Sequence, residues 1–173
     1  LVYYKNGQYQ KAKRMLQKEK KYFPENELSD NIYIWLSIKD GDTARAKQYI
    51  DKVTATYKEN LYSEESILSL FAFMFSFAEI SDKAEEYSRK LLLMDPYNMY
   101  AKKDLAYLLI DHNINVNEGI ELIDSALKSM GQGRYRYRDD YLFLDTKGWG
   151  LYKQGKYKEA LELLEKSDSL KPI

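Results

Sequence analysis

His112 is the only histidine in the chain, so any nucleophilic triad with an imidazole base has to be built on it. It stands in Asp111-His112-Asn113, just after an apolar run, and reads as a turn residue. No nucleophile and oxyanion donor are grouped to work with it. The stretch from Asp111 to Asn115 opens like the oxygen-rich half of a calcium loop. Such a loop needs glycine at its sixth position for the sharp turn and glutamate at its twelfth for two-oxygen coordination. Val116 and Leu122 stand there instead, so the run is a surface turn in which asparagine tolerates left-handed backbone.

Other fragments of chemistry fail in the same way. Ser125-Ala126-Leu127-Lys128 has the S-x-x-K spacing of penicillin-binding enzymes without its companion motifs, and Ala126 and Leu127 read as helix-packing residues. Gly131-Gln132-Gly133 lacks the third glycine of a dinucleotide loop and follows a helix, not a strand. Arg134-Tyr135-Arg136-Tyr137-Arg138 interleaves cations with rings, as single-strand binding surfaces do, but Asp139 and Asp140 follow at once, so a solvated loop with local ion pairs is expected. With no cysteine, disulfides, thiolate metal sites and cysteine nucleophiles are excluded. We therefore expect no catalytic residue, no metal and no cofactor.

Composition bounds the partners. Lys plus Arg and Asp plus Glu are both 27, and a net charge of zero lacks the basic surplus that nucleic acid or an anionic membrane would select. No secretory leader is visible. The most apolar stretch, 67–78, is too short for a bilayer, which takes about 20 residues. The compartment is left open, with the cytoplasm favoured. Apolar residues at 45% and charged residues at 31% allow a packed core. Few glycines and prolines suit helices joined by short turns. Seventeen tyrosines exceed what core filling needs, so some should face a wet, adhesive surface.

Those elements repeat. Gly155-Lys156-Tyr157-Lys158-Glu159-Ala160 ends twelve residues past its alanine in Pro172, and Gly7-Gln8-Tyr9-Gln10-Lys11-Ala12 ends twelve past its alanine in Pro24. Ala84 stands twelve before Pro96. The small residues Ala12, Ala46, Ala84, Gly119 and Ala160 are spaced by 34, 38, 35 and 41. Each mark has a cause. The small residue lets two antiparallel helices cross closely, the glycine closes the first helix at positive φ, and the proline, lacking a donor, stops the second.

With these marks the chain resembles the tetratricopeptide repeat family over nearly its whole length, the segment from Leu144 to Pro172 being its best copy and of a bacterial type. There are departures: Lys58 at the proline position of the second copy, Glu79 at the turn glycine of the third, and Lys147 for a leucine. The resemblance implies an all-α fold, a right-handed α-solenoid of antiparallel helix pairs with about four full repeats and a partial first one. It would form a single domain over 1–173, with repeats at 1–26 (partial), 27–62, 63–98, 99–136 and 137–173. The register predicts helices at 8–22, 26–39, 42–58, 63–78, 81–94, 97–112, 117–130, 138–153 and 156–170, with Leu1 to Lys5 closing an earlier helix. Asp42, Ser81 and Asn117 are predicted N-caps. Phe71, Phe73, Phe75 and Phe77 alternate like a strand, but the register makes them helical, with Phe71 and Phe75 on one face and Phe73 and Phe77 on another.

In this family the first helix of each repeat lines a concave groove. The resemblance puts Trp35 and Lys39 there in the second repeat, Phe73 and Phe77 with Ser66, Ser69 and Ser76 in the third, and Lys103, Tyr107, Ile110 and Asp111 in the fourth. Asp145, Trp149, Tyr152 and Lys153 follow in the fifth, and Tyr4 and Lys5 in the partial first. Trp35, Phe73, Tyr107 and Trp149 share one position in four repeats, a row suited either to peptide capture or to packing helix on helix. The expected function is a scaffold that binds a protein or peptide segment in this groove, with no nucleic acid and no membrane insertion. Self-association through uncapped ends is a further expectation. The alternative is a regulatory or oligomerising appendage of a larger enzyme or sensor.

Overall fold

The computed structural model describes residues 2–23, 27–131 and 140–171. Among them are ten α-helices and no strand: α1 (Val2–Lys5), α2 (Tyr9–Tyr22), α3 (Glu27–Lys39), α4 (Thr43–Glu59), α5 (Glu64–Phe77), α6 (Ser81–Met94), α7 (Met99–Asp111), α8 (Val116–Gly131), α9 (Asp140–Lys153) and α10 (Tyr157–Leu170). They follow the predicted map to within a residue or two. The loop reading of Gly131-Gln132-Gly133 beyond its first residue, the Arg134–Arg138 run, Pro24 and Pro172 lie outside the described residues.

Two compact units divide the chain, Leu1–Ile80 and Ser81–Ile173. In the first, α2 packs on α3, α3 on α4, and α4 on α5. In the second, α7 lies against α6, α8 and α9, and α9 against α8 and α10.

A single turn recurs after α1, α3, α5, α7 and α9. Gly41, at φ 74°, donates to the Ile38 carbonyl, and Asp42 donates to Ser37. Glu79 and Ile80 repeat this with Ser76 and Phe75, and Asn113 and Ile114 with Ile110 and Leu109. These are Schellman closures, which need a left-handed residue. The fold demands that conformation even where glycine is missing, since Glu79 takes φ 58° and Asn113 φ 52°.

Of the second helices, the one whose proline lies among the described residues ends as the proline rule requires. α6 stops at Met94, just before Asp95-Pro96, after 14 residues. Where Lys58 replaces proline, α4 runs 17 residues to Glu59. α8 likewise has no proline at its end and runs 16.

Ala12, Ala46, Ala84 and Ala160 are all buried. At Gly119 the crossing is closer still, since an added Cβ would stand 2.6 Å from Ile110 Cγ1 and 2.9 Å from the Ala106 carbonyl oxygen. Phe71 and Phe75 are fully buried and Phe73 and Phe77 exposed, on one helix. The alternation that mimics a strand is a two-faced helix.

Two predicted caps move. Asn117 lies inside α8, and Asn115 caps it instead. Its Oδ1 accepts from the Glu118 amide at 3.2 Å, and its Nδ2 donates to Glu118 Oε2 at 3.1 Å. The first bond satisfies the Glu118 backbone amide, which Asn117, immediately before it in the chain, cannot reach. Ser81 opens α6 as its first residue, and its hydroxyl sits 3.2 Å from His112 Nδ1. Asp42 does cap α4, accepting from Arg45 N at 3.0 Å. Ser63 and Asn98 cap α5 and α7 in the same way.

Ions reinforce the stacking. Buried Asp30 on α3 receives Lys20 from α2 and Lys52 from α4, the latter at 2.8 Å. Arg89 on α6 grips both oxygens of Glu118 on α8, at 2.7 and 3.0 Å.

Candidate binding faces

In the first unit the candidate face is built by α1, α3 and α5. Tyr4 is buried, and its hydroxyl donates to the Ala78 carbonyl at 3.1 Å. Burial, with Tyr9 and Glu79 nearby, pushes its pKa up to about 12. Its ring meets Trp35 at 5.4 Å between centroids, and Trp35 meets Phe77 at 6.1 Å. Trp35 is only 3% exposed, so it packs the three helices together. Phe73 stacks on Phe77 at 6.2 Å and is 68% exposed, Phe77 41%. Lys5 donates to the Phe77 carbonyl, with its ammonium 4.1 Å above that ring.

Around these rings Ser66, Ser69 and Ser76 are exposed, as is Lys39 at the end of α3. Asn31 Oδ1 and Trp35 Nε1, one turn apart on α3, are buried with no hydrogen-bond partner among the described residues.

In the second unit α7 and α9 make the face. The Trp149 indole N–H donates to Asp111 Oδ1 at 3.2 Å. Lys153 donates to the Asp111 carbonyl at 3.4 Å and lies 4.9 Å above the Trp149 ring. Tyr152 stacks on Trp149 at 5.2 Å, nearly parallel, with its own ring exposed. Tyr107 is exposed too, and its pKa is raised by partial burial and then by Asp111 and Asp145. Lys103 pairs with its neighbour Asp104 at 2.7 Å. Ile110 is fully buried and takes no part in this face.

Glycines on both sides of Trp149 set its position. A Cβ at Gly148 would stand 2.8 Å from Leu164, and one at Gly150 2.8 Å from Ile120. α9 is thus held tightly between α8 and α10. Lys147, at a leucine position of the repeat, reaches Asp124 at 2.6 Å instead of entering the core.

The predicted residues therefore divide among roles. Trp35 is interior, Trp149 is half-covered and hydrogen-bonded, and Phe73, Phe77, Tyr107 and Tyr152 offer ring surface. The Trp149–Asp111 and Lys5–Phe77 links join residues 38 and 72 apart in the chain, and no local pattern announces them.

Chemistry is sparse elsewhere. Ser125, of the S-x-x-K fragment, accepts from Lys102 Nζ at 3.0 Å, and Ala126 is fully buried in helix packing. Among the described residues no cluster of three or more His, Cys, Asp or Glu side chains could hold a metal, and no helix is long and apolar enough to cross a membrane.

The fold is that of a tetratricopeptide-repeat array, a class seen in solved structures of low sequence identity to this chain. MamA AMB-1 matches over 98% of this chain and 86% of its own, at 16% identity and a TM-score of 0.53. YrrB, described as "a TPR protein with an unusual peptide-binding site", matches over 99% and 82%, at 10% identity and a TM-score of 0.56. The TPR-like repeats of a Podosopora anserina kinesin light chain match over 98% and 90%, at 17% identity and a TM-score of 0.57. No protein-family model and no curated protein matches the chain.

Proposed function

We propose that this protein is a non-catalytic scaffold that holds a polypeptide segment against the first helices of its repeats, divided as 27–62, 63–98, 99–136 and 137–173. The observation that carries the reading is Phe73. A phenylalanine 68% exposed, stacked on a second exposed ring and bordered by serines, leaves apolar area in water that a bound segment would cover. Tyr107, Trp149 and Tyr152 supply comparable ring surface in the second unit. Lys39, Lys103, Asp145 and Lys153 add charges able to orient a bound chain without making a cationic trap. YrrB, which shares the fold, is described as having a peptide-binding site, and this supports the same use here.

The test is to pan a displayed peptide library against the protein and titrate a selected peptide against variants. Phe73→Ala should weaken binding by about 2 kcal/mol, the size of a hot-spot truncation, while the thermal midpoint stays put. Tyr152→Ala should act likewise on peptides held by the second unit. If neither substitution changes affinity in correctly folded protein, the inner faces are not the binding surface.

A further inference from the structure

On α7 and α9 acids alternate with rings. Tyr107 and Asp111 stand one turn apart on α7, and Asp145 and Trp149 one turn apart on α9, so each pair shares a helix face. Across the two helices the Trp149 indole N–H donates to Asp111 Oδ1 at 3.2 Å. Asp145 lies near Tyr107, whose hydroxyl keeps its proton to higher pH through partial burial and then through the charges of Asp111 and Asp145. The four side chains converge on one place between α7 and α9.

The two acids depart from the rest of the array. The left-handed turn residue that closes each first helix gives the register. Two residues before it stand Lys5, Lys39, Phe77 and Lys153 in the other repeats, and only Asp111 is acidic. Ten residues before it stand Asn31, Ser69 and Lys103, and only Asp145 is acidic.

No cation neutralises either carboxylate among the described residues. Asp111 accepts from a neutral indole. The Asp145 carboxylate has neither an ion pair nor a hydrogen bond among the described residues, although the residue is half-buried. The lysines of this face are engaged elsewhere, Lys103 with Asp104 at 2.7 Å and Lys153 with the Asp111 main-chain carbonyl and the Trp149 ring. A carboxylate drawn partly out of water without a partner is held at a cost that an incoming cation offsets. The Tyr107 ring is exposed and stacks on no other ring among the described residues.

We propose that Tyr107, Asp111 and Asp145 form the subsite for an arginine side chain of the bound segment, a reading that rests on the peptide-holding role given above. The guanidinium pairs with the Asp145 carboxylate and with the Asp111 oxygen that the indole does not use, and lies flat on the Tyr107 ring. Arginine suits the place better than lysine, because its planar fork can meet two carboxylates and stack on a ring at once, whereas an ammonium is a point charge. Trp149 does not stack the guest, since Tyr152 and Lys153 already lie against its ring. It fixes Asp111 in place without cancelling its charge. The chain's net charge is zero, so the preference is local to this subsite and not a general attraction for cations.

The probes are peptides selected from a displayed library on the whole protein, limited to those whose affinity falls in Tyr152→Ala and which the second unit therefore holds. Each is made with arginine and with citrulline, which keeps the shape and removes the charge. Calorimetric titration of both forms against the wild type and Asp145→Asn gives a four-way cycle. Citrulline should weaken binding at least about tenfold in the wild type and no more than about twofold in Asp145→Asn. Asp111→Asn keeps an acceptor for the indole and should also shrink the citrulline penalty. It serves as the second variant if circular dichroism shows Asp145→Asn unfolded. A citrulline penalty equal in variant and wild type overturns the proposal, as does a set of selected peptides in which arginine is not enriched. In both of those cases Tyr152→Ala still weakens binding, so the face stands as a peptide-binding surface without an arginine subsite. If no selected peptide responds to Tyr152→Ala, the peptide-holding role of this unit fails, and the subsite with it.

Discussion

The indole N–H of Trp149 donates to Asp111 Oδ1 across 3.2 Å, joining α9 to α7 through residues that belong to different repeats. Asp111 also receives Lys153 on its carbonyl. One residue at the end of α7 thus anchors a full turn of α9. Trp149→Phe keeps an aromatic ring, though a smaller one, and removes the donor. It should cost about 1 kcal/mol in urea unfolding, the net worth of a partly exposed hydrogen bond. Combined with Asp111→Ala, the losses should fall short of additive, and a double-mutant cycle measures the difference. Strict additivity would mean the bond contributes nothing in solution.

Gly119 tests the close crossing of α7 and α8. Alanine has the better helix propensity by about 1 kcal/mol, but its Cβ would meet Ile110 Cγ1 at 2.6 Å and the Ala106 carbonyl at 2.9 Å. A backbone carbonyl cannot swing aside, and overpacking costs about 1–3 kcal/mol beyond what propensity returns. Gly119→Ala should therefore lower the denaturation midpoint. A rise would show that the helices can separate cheaply.

At Glu79 the sign is reversed. It holds φ 58° at a turn where α1, α3 and α9 are followed by Gly7, Gly41 and Gly155. Left-handed backbone costs an ordinary residue about 1–2 kcal/mol, and its ion pair with Lys5 is long, at 3.8 Å, and exposed. Glu79→Gly should stabilise by about 0.5–1 kcal/mol after the added freedom of the unfolded chain is deducted, read as a higher thermal midpoint.

Trp35 and Phe73 occupy the same repeat position and should behave differently. Trp35→Ala empties a buried site and should cost about 3–5 kcal/mol. Phe73→Ala removes a mostly exposed ring and should stay within about 0.5 kcal/mol. Chemical denaturation of both variants decides whether the shared position means shared burial.

Acid should loosen the α6–α8 contact. The two-point grip of Arg89 holds the Glu118 carboxyl below its ordinary pKa of 4.5. A lowered folded pKa means that this contribution is complete above the unfolded value and is lost as pH falls through the folded one. Below about pH 4.5, the ordinary value, stability should thus fall more steeply in the wild type than in Glu118→Gln. Denaturant melts between neutral pH and pH 3 measure the two slopes.

The amino-acid sequence by itself determined the elements and their order. Turn glycines and stopping prolines act within a few residues of themselves, so they mark helix ends wherever they stand, and the small residues at a common ruler mark where helices cross. The four phenylalanines of α5 were legible for the same reason, once the repeat outweighed their alternation. Tertiary structure decided which faces are covered. Trp35 and Phe73 are equivalent along the chain, yet Tyr4 and Phe77 close over the first, while the second faces water. Whether a ring at that position packs or waits for a partner depends on neighbours 31 and 42 residues away, and residues so distant exert no influence until the helices stack.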